Sequence, residues 1–148
     1  MNRITLELTP YVPAADLFRL VCHEPDCAFL DSSLEGELGR WSIIGLKPYE
    51  TFIKENDGSF TRNGQPQPGR SFEDSLQDYL RTHRDENQTG LPMVSGAIGY
   101  LSYDYGRENM GVPSQEADPE PIPQARGGFY DLLVIEDCRE KRGWLSAC

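Results

Sequence analysis

Apolar and polar residues alternate at the start of the chain. Ile4, Leu6 and Leu8 are separated by Thr5 and Glu7, the period of a half-buried strand, and Pro10 ends it. Pro13 suits the first turn of a helix running to about Cys22, with Leu17, Leu20 and Val21 on one face. Ala28 to Asp31 predicts a short strand that leaves into the polar loop Ser32 to Gly39. Trp41 to Leu46 and Tyr49 to Lys54 read as two strands divided by Lys47-Pro48. Asn56-Asp57-Gly58 then turns the chain into Phe60-Thr61-Arg62, and Asn63-Gly64 supplies a second turn, which together predict an antiparallel meander. Ser71, with Asp74 three residues on, has the form of a capping box. Phe72, Leu76, Tyr79 and Leu80 share a face, so a helix is predicted over 72–83, ended by the loop Arg84 to Gly90.

The second half is less regular. Ser95 to Glu108 holds Gly96, Gly99 and Gly106 among Tyr100, Tyr103 and Tyr105. Glycine weakens a strand, so these positions point to close backbone approach, a bulge or turns with positive φ, and tyrosine tips need partners when buried. Residues 109–125 carry Pro113, Pro119, Pro121 and Pro123 among polar residues and predict an irregular surface excursion. Phe129 to Asp137 predicts a strand with the apolar centre Leu132-Leu133-Val134-Ile135, turned by Arg139 to Gly143 into a partner starting at Trp144. A hairpin arm that stops after Leu145-Ser146-Ala147-Cys148 reads as one continued in a longer polypeptide. Residues 1–148 are therefore read as a single-domain fragment.

Composition narrows the function classes. At 148 residues, 38% hydrophobic and 26% charged, the chain has the make-up of a globular domain. Its net charge of −10 repels phosphate backbones and anionic membranes, so neither nucleic acid nor a membrane is expected as a partner. The longest aliphatic run, Leu132 to Ile135, is far shorter than the roughly 20 residues of a membrane helix. Glu7 interrupts any secretory core at the start, which makes a cytoplasmic location the default expectation. Cys22, Cys27, Cys138 and Cys148 form no C-x-x-C pair and are expected as free thiols. Cys22-His23-x-x-x-Cys27 is at most half of a metal site, so no metal is expected in this segment.

The chain declares no catalytic constellation. His23 and His83 fall in no triad pattern, and Glu73-Asp74 and Asp85-Glu86 read as solvated faces. Gly96-x-x-Gly99 is followed by neither a phosphate loop nor a dinucleotide fingerprint. Three stretches do look specific. They are Ala28 to Pro48, Ser95 to Glu108, and Gly127-Gly-Phe-Tyr-Asp-Leu-Leu-Val-Ile-Glu-Asp137.

In that order and spacing the three stretches resemble the amino-terminal domain of component I of anthranilate synthase and of para-aminobenzoate (aminodeoxychorismate) synthase. The resemblance covers essentially the whole chain. It implies an α+β fold with a mixed, mainly antiparallel sheet flanked by helices, and a following catalytic domain, absent here, that binds chorismate and Mg²⁺. It also implies ammonia supplied by a glutamine amidotransferase partner, component II. Chorismate is a dianion that needs cations and a metal to hold it, and this acidic segment offers neither, so the segment is expected to be inactive alone.

The family's amino-terminal domain holds a tryptophan pocket. By resemblance, Asp31-Ser32 stands where the family has Glu-Ser, and a carboxylate and hydroxyl ending a strand suit an α-ammonium. Leu38, Gly39, Arg40 and Trp41 match the second ligand-contacting segment. Asp31 is one methylene shorter than glutamate. The alternative for Asp31, Ser32 and Trp41 is plain loop capping and core packing. Phe129-Tyr130-Asp131-Leu132 and the Asp-Ser pair look more like the para-aminobenzoate branch of folate biosynthesis than the anthranilate branch. A stand-alone amino-acid-binding module is the alternative from a different class.

Overall fold

The computed structural model describes residues 3–34, 36, 38–84, 86–112 and 122–148, with only the backbone at 108 and 109. Among the described residues ten strands and three helices follow in the order β1 Ile4–Leu8, α1 Ala14–Val21, β2 Ala28–Leu30, β3 Trp41–Leu46, β4 Glu50–Lys54, β5 Phe60–Arg62, β6 Gln65–Pro66, α2 Phe72–Thr82, β7 Gly96–Leu101, α3 Tyr103–Asn109, β8 Ala125–Tyr130, β9 Leu132–Asp137 and β10 Arg142–Ala147. The α+β reading holds. Instead of one sheet there are two of five strands each, in the orders β1-β10-β9-β3-β2 and β6-β5-β4-β8-β7. Every strand pair of the first sheet is antiparallel. By contacts the chain forms two compact units, one of residues 1–49, 86–98 and 129–148, the other of 50–85 and 99–128.

The first unit is built around β9. Its neighbours β10 and β3 cover both edges, and alternate side chains feed opposite faces. Leu133 and Ile135, both fully buried, pack with Ile43, Ile98 and Tyr130 on one face. Val134 packs with Ile44 and Ala14 on the other. There α1 lays down Ala14, Leu17, Phe18 and Val21 at helical spacing, and Phe18 stacks on Phe29 with ring centroids 4.7 Å apart. Leu20, assigned to that face from sequence, is 69% exposed, because the buried stripe is set by 14, 17, 18 and 21. Ile4 and Leu6 are also exposed, since β1 is an edge strand held through its backbone to β10. The last strand, expected from Trp144, begins two residues earlier: β10 runs from Arg142 to Ala147 and pairs with β9 on one side and with β1 on the other.

The second unit has an aromatic core. Phe52 stacks on Phe60 with centroids 5.5 Å apart and meets the edge of Tyr79, while Phe60 meets Phe72 and Phe72 meets Tyr105. Ser71 caps α2 as predicted, its hydroxyl accepting from the Asp74 N–H at 3.0 Å. Both expected turns form, with Gly58, Asn63 and Gly64 at positive φ. Two elements differ from the sequence reading. β3 and β4 lie in different sheets and do not make one meander, and the strand expected from Phe129 is two strands, β8 and β9, parted at Asp131. Gly127 and Gly128 hide the strand character of β8, which takes its place from its neighbours in the sheet. Most of the excursion expected at 109–125 lies outside the described residues.

The three glycines of Ser95 to Glu108 divide by cause. Gly96 holds φ +144°, and a Cβ on Gly99 would lie 2.2 Å from the Arg126 carbonyl oxygen and 2.6 Å from Gly127 Cα. Gly106 lies in α3 with open space where a Cβ would stand. Tyr100 and Tyr103 are exposed, so their tips have water as a partner. Gly99→Ala is expected to cost about 1–3 kcal/mol by overpacking against backbone. Gly106→Ala is expected to add about 0.5–1 kcal/mol from helix propensity. Urea unfolding of the two variants should show shifts of opposite sign.

Candidate functional site

The six residues singled out from sequence lie where β2 ends and β3 begins. The antiparallel pairing of β2 with β3 brings Asp31 and Ser32 beside Trp41 and Ser42. The Ser32 N–H donates to Ser42 Oγ at 3.0 Å, and Ser32 Oγ donates to the Trp41 carbonyl at 2.6 Å. Ser42, 1% exposed, has its hydroxyl 3.4 Å from Asp31 Oδ1 and 3.4 Å from Cys138 Sγ. The contact with sulfur is an ordinary length, but the one with Asp31 exceeds an ordinary O–H···O hydrogen bond, so Asp31 is loosely held and its exposed carboxylate is available to a ligand.

Trp41 goes the other way. Its register partner is Asp137, and its ring joins the Ile43 and Ile135 face, 6.2 Å from Trp144. Strand alternation sends Ser42, with Asp31 and Cys138, to the opposite face. The arrangement thus groups Asp31, Ser32 and Ser42, and separately groups Arg40 and Trp41. The Arg40 guanidinium stands 4.8 Å over the Trp41 ring and donates twice to Asp137 Oδ2, at 2.9 and 2.5 Å. Leu38 is fully exposed. Gly39 is irreplaceable on steric grounds, since a Cβ there would overlap the Leu34 carbonyl oxygen at 1.9 Å.

Several residues around this point were not chosen from sequence. Asp137, on β9, is 1% exposed, and its Oδ1 accepts the N–H groups of Arg139 and Glu140 at 3.1 and 3.0 Å. Burial works against its charge, yet the Arg40 hydrogen bonds and those two N–H groups outweigh burial and hold the carboxyl below the ordinary aspartate value. Beside it Glu136 accepts from the Tyr11 hydroxyl and from the Ala14 N–H at 2.9 Å. Burial and the Glu136 carboxylate push the Tyr11 phenol well above its usual range. A hollow of about 240 Å³ is lined by Gly36, Gly39, Cys138, Arg139 and Lys141. The Arg139 to Gly143 turn was legible as a turn. Its place beside Gly39 rests on the β3–β9 pairing across about ninety residues of chain.

Chemically the site links an exposed carboxylate, Asp31, through Ser42 to Cys138, and Cys138 lines the hollow together with Arg139 and Lys141. Among the described residues no group of three His, Cys, Asp or Glu side chains converges to hold a metal. The four cysteines are free, and among the described residues no helix is long and apolar enough to cross a membrane.

The fold has a solved counterpart. It superposes on anthranilate synthase component I from Streptococcus pneumoniae with a TM-score of 0.63 over 95% of this chain and 29% of that one, at 22% identity. In sequence the chain is 28% identical over 124 residues to anthranilate synthase component 1 of Thermus thermophilus, covering 84% of this chain and 25% of the relative. It is 30% identical over 116 residues to aminodeoxychorismate synthase component 1 of Bacillus subtilis, covering 72% and 23%. No family model matches. The class is therefore an α+β domain with the fold of a component I protein. More particularly, the chain is a relative of component I of the anthranilate and aminodeoxychorismate synthases, spanning about a quarter of the length of these relatives.

The Asp137 carboxylate has a definite pH signature. With its folded pKa lowered, its contribution to stability is fully present above the unfolded value near about 3.9 and is lost as pH falls through the folded value. Asp137→Asn is expected to cost about 1–3 kcal/mol at pH 7. Denaturant midpoints of parent and variant should converge as pH drops below about 4.

Proposed function

We propose that this chain is the non-catalytic, ligand-pocket and scaffold domain of para-aminobenzoate synthase component I. In this reading the parent enzyme aminates chorismate to aminodeoxychorismate for folate synthesis. Its catalytic domain holds chorismate and Mg²⁺, and ammonia comes from a glutamine amidotransferase, component II. The observation that carries the pocket is the opposition of charge around Ser42 and Cys138. The exposed Asp31 carboxylate suits an α-ammonium, and Arg139 and Lys141 at the neighbouring hollow suit an α-carboxylate. Ser32 ties the strand end to Trp41, Trp41 supports Arg40, and Gly39 edges the hollow on the loop side, with Leu38 exposed beside it in the chain. A tryptophan-like zwitterion is the ligand this set of groups suits.

The similarity to an aminodeoxychorismate synthase component 1 supports the para-aminobenzoate branch, and the similarity to anthranilate synthases supports the other. Phe129-Tyr130-Asp131-Leu132 and the shorter Asp31 favour the former. The second reading, an anthranilate synthase domain with tryptophan as feedback inhibitor, uses the same pocket.

The 148-residue chain is expected to form no product from chorismate, ammonia and Mg²⁺, and turnover by it would overturn the non-catalytic role. In the parent enzyme, Asp31→Ala should weaken tryptophan binding about tenfold or more through loss of a charge-assisted hydrogen bond. Calorimetry reporting an unchanged affinity would remove Asp31 from the pocket and leave a scaffold.

A further inference from the structure

The second unit carries a hollow that the first site does not use. It encloses about 220 Å³ between β5 and α2, with Phe60 and Tyr79 among its lining residues. Both are nearly buried, 4% and 6% exposed, with Phe52 stacked on Phe60 and His83 on Tyr79, so what they offer is the edge of a fixed ring. Around them stand Arg62, Arg70, Arg81 and His83. In a chain with 24 acidic and 14 basic residues, three arginines and one of two histidines meet here, where Asp78 is the one acidic lining residue.

The basic side chains are not equivalent. Arg62 is neutralised, its Nε and terminal nitrogen donating to the two Glu50 oxygens at 2.7 and 2.9 Å, and its guanidinium lies 5.2 Å over Tyr79 as part of the wall. Arg81 donates to Asp78 at 2.9 Å, but both side chains are largely exposed, and such pairs are weak and exchange readily with solvent or a ligand. Arg70 makes a backbone hydrogen bond to Gln67, and its guanidinium has no partner among the described residues. His83 stacks flat on Tyr79, 3.9 Å apart and 10° from parallel. Its Nδ1 is 3.0 Å from both the Tyr79 carbonyl and the Thr82 hydroxyl, which fixes the ring at the edge of the hollow.

We propose that this hollow binds a small aryl carboxylate. The ring lies against Phe60 and Tyr79, and the carboxylate is taken by Arg70 and Arg81 with His83 beside it. The volume falls below the roughly 300–1,000 Å³ of drug-sized sites, which suits a single ring. Guanidinium groups match a planar carboxylate in geometry as well as charge. A long polyanion would extend past this local reversal onto a chain of net charge −10 and be repelled. The site is independent of Asp31 and of the reading built on it.

The test is a titration of benzoate into the 148-residue chain, followed by amide NMR. Saturable shifts centred on Arg70 and Tyr79 to His83, with a Kd of about 1 mM or tighter, are expected. Arg70→Gln should weaken binding about fivefold, while Asp78→Asn, which removes the opposing carboxylate, should tighten it. Both positions are exposed, so thermal melts should stay close to the parent. The proposal is overturned by absence of saturation, by affinity unmoved in both variants, or by inorganic phosphate binding as tightly through the same amides.

Discussion

The burial of β9 on both faces is the constraint on which the first unit depends. Leu133 and Ile135 serve one core and Val134 the other, each worth about 1.5–3 kcal/mol when removed from water. Because the side-chain period is two, a one-residue slip would send each of these to the wrong face. The same slip would carry Asp137 away from Arg40 and Glu136 away from Tyr11. The register that satisfies the apolar cores therefore also assembles the polar end of the sheet.

That polar end obeys a second requirement. Glu136 and Asp137 are nearly inaccessible, and a buried carboxylate is tolerated only with hydrogen-bond partners. Glu136 finds them at the start of α1, so it fixes where the helix begins. Asp137 finds them in Arg40 and in the turn toward β10, so it fixes where the loop before β3 ends. The exposed Asp31 and the cations of the turn take their positions from these buried groups.

The two candidate sites differ in what makes them. The first joins residues far apart in sequence through the pairing of β3 with β9, and its charge pattern is bipolar. The second lies within residues 60–83, built by one short strand and one capped helix, and its exposed charge is mainly positive. In the second unit rigidity comes from stacked rings: Phe52, Phe60, Phe72 and Tyr79 lock one another, and the charged groups stand on that aromatic base.

Much of this architecture is legible in local chemistry. Ser71 marks the start of α2, Asn56-Asp57-Gly58 and Asn63-Gly64 mark turns, and Leu132 to Ile135 marks the buried strand, because caps, positive-φ turns and apolar runs are decided by neighbours in the chain. Resemblance in three stretches located the Asp31 to Trp41 segment and the family. The amino-acid sequence did not disclose that β3 and β4 belong to separate sheets, that Asp131 parts two strands, that Trp41 and Asp31 leave the sheet on opposite sides, or that Cys138, Arg139 and Lys141 stand beside Gly39. Those depend on which strands pair across roughly a hundred residues, a choice settled only when both faces of β9 and its two buried carboxylates are satisfied together.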